Sequence, residues 1–138
     1  MTNSANPAGR KQSLKNVRLR KHSDYQRAYA AGHKRLSVSF SWFMAARPQA
    51  ESQSSRIGLT AGKVLGKAHE RNRIKRRMRE VLRRHIDLIP PGIDLIFHPR
   101  RSVRTIEFTK LDAEVVRILT QAAAEARRSR PHADRAEP

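Results

Sequence analysis

The 138-residue chain has no cysteine. Disulfides, thiol nucleophiles and thiolate metal sites, zinc fingers among them, are therefore excluded, while the redox compartment stays open. Aromatic residues make up only 5% of the chain, with a single Trp. No apolar run approaches the roughly 20 residues that a membrane-spanning helix requires, so a soluble protein is expected. Met1–Ser23 carries no apolar segment behind its basic residues and does not read as a secretory signal, which predicts a cytoplasmic location. Negative charge is the scarcest ingredient: 12 Asp and Glu stand against 30 Lys and Arg, a net +18. A small body with that excess repels itself, a state tolerated mainly when the partner is a polyanion. Nucleic acid and an anionic membrane surface are the first candidates.

The positive charge is localised. Met1–Ser23 holds Arg10, Lys11, Lys15, Arg18, Arg20 and Lys21 and no acid, and reads as a flexible basic arm. Lys67 to Arg84 holds nine basic residues against Glu70 and Glu80. Arg127–Pro138 reads as a polar, charged tail, leaving 24–126 as one folded body.

Within that body, start, stop and periodicity signals predict the elements. Ser23 can cap a short helix that Gly32 ends and that carries Tyr25 and Tyr29 on one face. Leu36 to Ala46 alternates, with Val38, Phe40, Trp42 and Met44 on one side and Ser37, Ser39, Ser41 and Phe43 on the other, the pattern of a strand. A polar loop, Pro48 to Ser55, leads to a second alternating run, Arg56 to Lys63, predicted to complete a hairpin. From about Ala68 to Ile86, Ile74, Met78, Val81 or Leu82, and Ile86 recur at helical spacing until Pro90-Pro91-Gly92 halts the chain. Ile93 to His98 reads as a short apolar strand, and Thr109 to about Arg128 as an amphipathic helix that Thr109 can cap. The expected fold class is α+β (split α/β), in the order α-β-β-β-α-β-α, with a small mixed sheet packed against helices.

The basic helix carries the chemistry. Its apolar stripe uses one side, leaving Arg71, Lys75 and Arg79 four residues apart and further arginines around the rest. A merely solvated face usually mixes signs, and a membrane-surface helix wants Trp, Phe or Leu on a stripe that here serves the core. Phosphate binding is favoured, because arginine outnumbers lysine seven to two in this stretch and its fork grips phosphate oxygens bidentately. No closely spaced carboxylate pair and no H-x-x-x-H occurs, so neither a catalytic residue nor a metal site is expected in the protein. A scattered histidine such as His98 reads as an ordinary core or surface residue.

The run Gly66-Lys67-Ala68-His69-Glu70-Arg71-Asn72-Arg73-Ile74-Lys75-Arg76-Arg77-Met78-Arg79-Glu80 resembles the Arg-Asn-Arg signature of the bacterial ribonuclease P protein subunit, G-x-A-V-x-R-N-x-x-K-R-x-x-R-E. Leu19 to Arg27 with Tyr29 and Gly32 is similar to that family's opening helix, and Arg56 to Lys63 to the strand before its signature helix. The likeness spans about Leu19 to Ala122. It implies an accessory subunit of a ribonucleoprotein that removes the 5′ leader from precursor tRNA, with a Mg²⁺-dependent active site in the catalytic RNA and no cofactor held by the protein. It also implies that Arg71, Asn72, Arg73, Lys75, Arg76 and Arg79 contact the catalytic RNA. A cleft between the first helix and the sheet is implied to hold the single-stranded leader through Tyr25, Tyr29, Phe43 and Lys63, aromatic faces stacking on any base. A left-handed strand-helix-strand crossover is implied as well, against the usual hand. His69 stands where the family usually has Val, and Tyr25 and Tyr29 where it often has Phe.

Other readings stay open at this level. A general structured-RNA-binding or ribosome-associated protein would share the charge without a part in hydrolysis. A DNA-binding protein would need a helix shortly before the basic one, and a strand stands there instead. A stand-alone nuclease would need the closely spaced carboxylate pair that the sequence does not show.

Overall fold

Residues 14–47 and 54–129 are described by the computed structural model. In chain order they form α1 (His22–Ala31), β1 (His33–Leu36), β2 (Phe40–Ala46), β3 (Arg56–Leu59), α2 (Ala68–Arg84), β4 (Ile93–Pro99) and α3 (Phe108–Ser129). Single-turn 3-10 helices lie at Leu14–Val17, Lys63–Leu65, Ile86–Leu88 and Arg101–Arg104. This is the α+β fold that the sequence predicts; residues 33–35 of β1 lie outside the runs read as strand.

The sheet corrects the predicted pairing. Its order is β1-β2-β4-β3, so β2 and β3 form no hairpin. β4 stands between them, antiparallel to β2 and parallel to β3. The physical reason is burial: Ile93 to Phe97 are covered on both faces, and the most continuously apolar strand gains most from the middle of the sheet. Its parallel partner β3 then has to be reached by a crossover, which α2 supplies.

The single strand predicted from Leu36 to Ala46 is also interrupted. At residues 37–39 the chain turns, and the Glu114 carboxylate of α3 accepts hydrogen bonds from the Ser37 hydroxyl and, at 2.8 Å, from the Ser39 N–H. Burial alone would raise the Glu114 carboxyl, but the bonds from Ser37 and Ser39 bring it below the ordinary carboxylate value. Ser39 is therefore fully buried, and Val38, expected on the core side, is exposed.

Two apolar layers sandwich the sheet. Phe40, Trp42, Leu95 and Phe97 face α2 and α3, whose Ile74, Met78, Leu82, Leu111, Val115 and Leu119 are all buried. Ala45 and Ile96 face α1, packing with Leu19, Ala28 and the rings of Tyr25, Tyr29 and Phe43. The alternation read from the sequence is thus realised: Phe43 lies on the opposite face from Phe40 and Trp42.

Several predicted boundaries move. Residues 14–23, assigned to a flexible arm, lie on the body: Leu14 and Val17 pack against the core, Leu19 is 2% exposed, and Arg18 bridges to Ile57 beside β3. The N–H of Leu19 donates to the Ile57 carbonyl at 2.8 Å. The arm is amphipathic enough to cover an open strand edge, which a count of its charges does not reveal. Residues 1–13 of that arm, 48–53 of the predicted loop and 130–138 of the tail lie outside the described residues. Ser23 does not cap α1, which starts at His22 after Lys21, and Thr109 lies inside α3. The strand predicted to reach Lys63 ends at Leu59. Among the described residues no helix is long and apolar enough to cross a membrane.

Candidate nucleic-acid interface

The turn into α2 takes a glycine for a steric reason. Gly66 has φ +123°, and a Cβ there would collide with the Glu70 carboxylate. That carboxylate accepts the Lys67 N–H at 2.8 Å and pairs with Arg104. The bond from Lys67 holds the Glu70 carboxyl below its ordinary value, with Arg104 adding to the effect. An acid in the first turn also suits the helix dipole and anchors a helix otherwise crowded with positive charge.

The apolar stripe of α2 divides its cations into two flanks with different fates. On one flank Arg73 donates to the Arg104 carbonyl at 3.1 Å. Arg77 donates to the same carbonyl at 3.2 Å and to that of Ile106. The guanidinium groups of Arg77 and Arg84 lie 6.0 and 5.4 Å from the Phe108 ring centroid. These arginines tie α2 to the turn before α3. Burial lowers the Arg77 guanidinium, which keeps its charge nonetheless.

The other flank is open. Arg71, Lys75 and Arg79 run along it at four-residue spacing, with Asn72 and Arg76 beside them. Arg71 donates to the Gly66 carbonyl at 3.2 Å. The side chains of Asn72, Lys75, Arg76 and Arg79 form no hydrogen bond or ion pair with another described residue. Of the six signature residues nominated from the sequence, five therefore share one flank and Arg73 stands on the other.

Of the second nominated set, Tyr25, Tyr29 and Phe43 gather on the α1 face of the sheet. The rings of Tyr29 and Phe43 meet edge to face at 4.9 Å, and Tyr25 lies 6.2 Å from Tyr29. All three are half-buried. Tyr25 rests on the backbone of Gly58, where any Cβ would displace it, and its hydroxyl donates to the Leu19 carbonyl at 3.3 Å. Burial raises the phenols of Tyr25 and Tyr29 above the ordinary tyrosine value, so both stay neutral. The tyrosines thus pack α1 on the sheet while keeping part of each ring accessible. Lys63 is exposed on the 3-10 turn before α2, between Gly62 and Val64. Those two neighbours line a shallow groove with Thr60, His98, Arg100 and Arg101.

A cavity of about 380 Å³ lies where the two surfaces approach, lined by Arg18, Leu19, Tyr25, Leu59, Arg79 and Leu82 among others. Tyr25 of the aromatic set and Arg79 of the basic flank share it. Opposite, Arg56 grips the buried Asp94 carboxylate with bonds of 2.8 and 2.9 Å and reaches Asp24 of α1 at 2.8 Å, clamping α1 to the sheet. No group of three or more metal-ligating side chains occurs among the described residues.

Reading the sequence overlooked His98. Its Nε2 is 2.9 Å from the Tyr29 hydroxyl and its Nδ1 3.0 Å from the Thr60 hydroxyl. The available signal was strand parity: Asp94, Ile96 and His98 alternate onto the face that carries Phe43.

A family model described as Ribonuclease P matches residues 14–123. A ribonuclease P protein component of Dictyoglomus thermophilum is 35% identical over 112 residues, covering 80% of this chain and 91% of that protein. Among solved structures, the RNase P protein from Thermotoga maritima superposes with a TM-score of 0.66 at 26% identity, covering 75% of this chain and 96% of the other. An RNase P protein of Staphylococcus aureus gives 0.64 at 27% identity, with 77% and 94% covered.

Proposed function

The chain belongs to the ribonuclease P protein family, and from that premise we propose that it acts as the accessory subunit that binds the catalytic RNA through α2 and the precursor-tRNA leader through the α1 cleft. The observation that carries this reading is the open flank of α2, where the side chains of Asn72, Lys75, Arg76 and Arg79 form no hydrogen bond or ion pair within the described protein. Cations left unpaired on one stripe are suited to phosphate oxygens, and each phosphate neutralised releases condensed counterions. Arg73, bonded to the Arg104 carbonyl, contributes to the RNA contact from the margin of that surface.

At the cleft, accessible ring surface on Tyr25, Tyr29 and Phe43 gives stacking that tolerates any base, the grip required of a subunit serving many precursors. Lys63 meets a leader phosphate beside it. The protein's part is to bind and neutralise; hydrolysis takes place at the RNA, which holds the Mg²⁺. Cytoplasmic tRNA 5′ maturation is the setting this role implies.

The test is cleavage of a precursor tRNA by the cognate catalytic RNA at low Mg²⁺ and moderate salt, with and without the protein, comparing a long leader with a one-nucleotide leader. Restored cleavage with a preference for the long leader is expected. Binding of RNA without change in rate or leader preference would replace this reading with that of a general structured-RNA-binding module.

A further inference from the structure

We propose that His98 is the positioning residue of the leader cleft, holding Tyr29 through its Nε2 and Thr60 through its Nδ1 so that the cleft offers ring surface with no free tyrosine hydroxyl. The inference rests on the leader reading above and deepens it. Its basis is the continuity of the chain of contacts. Thr60, just beyond the end of β3, His98 on β4 and Tyr29 on α1 are joined by two hydrogen bonds of 3.0 and 2.9 Å. The imidazole also lies against two of the three rings of the cleft, 5.7 Å from Tyr29 and 5.5 Å from Phe43 between centroids.

The consequence is chemical as well as geometric. A tyrosine hydroxyl pointing into a nucleic-acid cleft would select among bases by their hydrogen-bonding edges. Here the Tyr29 hydroxyl is engaged by His98 and the Tyr25 hydroxyl by the Leu19 carbonyl, so stacking is left as the recognition mode. A neutral imidazole carries one donor and one acceptor, which matches two hydroxyl partners that can each play either part. Burial, with a smaller contribution from Lys34, lowers the His98 pKa and favours that neutral form. With Phe at position 29 the His98 Nε2 would lose its partner and the ring its tether.

The experiment measures affinity for long-leader and one-nucleotide-leader precursor tRNA in the reconstituted holoenzyme. His98→Ala and Tyr29→Phe are each expected to weaken long-leader binding by about threefold to tenfold, the worth of one hydrogen bond, and to leave one-nucleotide-leader binding unchanged. The double variant should be no worse than either single one. His98→Gln places an amide near the position of Nε2 and should restore binding, whereas His98→Asn, whose amide reaches only the position of Nδ1, should not. Tyr29→Phe removes the same bond while keeping both rings, so the test survives a His98→Ala protein that folds poorly. Equal loss for both substrates would mean a general folding effect and overturn the proposal. An unchanged leader preference in His98→Ala and Tyr29→Phe, with the preference lost in Tyr29→Ala/Phe43→Ala, would overturn the role of His98 alone. If the Tyr29→Ala/Phe43→Ala protein also keeps its preference, the leader reading falls and this inference with it.

Discussion

Gly66→Ala tests why the signature begins with glycine. At φ +123° with ψ −161° the backbone occupies a region essentially reserved for glycine, and forcing a Cβ into it costs about 1–3 kcal/mol. The same Cβ would strike the Glu70 carboxylate, which must swing away and release the Lys67 N–H, a cap worth about 1 kcal/mol. The sum is about 2–4 kcal/mol, to be read as a lower urea midpoint at unchanged slope by circular dichroism. Gly62→Ala is the control: its φ is −76° and nothing lies within 4 Å of the new Cβ. That variant should be neutral or more stable by up to about 1 kcal/mol. In a Glu70→Ala background the penalty at Gly66 should shrink to the backbone part alone, because no carboxylate remains to be displaced. A Gly66→Ala protein within about 0.5 kcal/mol of the parent, below the smallest of these terms, or one matched by Gly62→Ala, would refute the reasoning.

Four further outcomes are expected. Arg76→Ala should lower the slope of RNA affinity against salt by about one and leave the urea midpoint in place. Arg77→Ala should do the reverse, because its guanidinium holds the carbonyls of Arg104 and Ile106; filter binding across a salt series and urea titration separate the two. Asp94→Ala should cost about 2 kcal/mol by urea titration, since it removes two bonds to a buried carboxylate from Arg56 while the ion pair with Asp24 remains. Finally, the fold favours neutral His98, so below the ordinary histidine value the unfolded chain takes up the proton first. The associated stability is complete above that value and lost as the pH falls from it toward the depressed one. Urea midpoints at pH 7 and pH 5 should therefore drop less for His98→Asn than for the parent, and an equal drop would discount burial of the imidazole.

The helices were legible because their signals are local. Ile74, Met78, Val81 and Leu82 recur at helical spacing and are all buried, and the parity that put Phe43 opposite Phe40 and Trp42 survived folding. The grouping of Tyr25, Tyr29 and Phe43 followed from two such local patterns together with the family resemblance. Strand pairing was not legible, because hydrogen-bond partners in a sheet are chosen by total burial and not by proximity in the chain. β4 displaced the predicted hairpin for that reason. Likewise the turn at residues 37–39 depends on Glu114, some 75 residues distant in the chain.

Composition and periodicity by themselves determined a basic α+β protein with an arginine-rich amphipathic helix, because net charge and apolar spacing are properties of the chain alone. Only the tertiary structure decided which arginines of that helix are available. Arg73 and Arg77 meet backbone carbonyls at positions 104 and 106, whereas Arg76 and Arg79 meet none within the described protein. Likewise, only the fold turned His98 from one scattered histidine into the link between Tyr29 and Thr60, for a hydrogen bond across 69 residues requires the sheet to bring its partners within 3 Å.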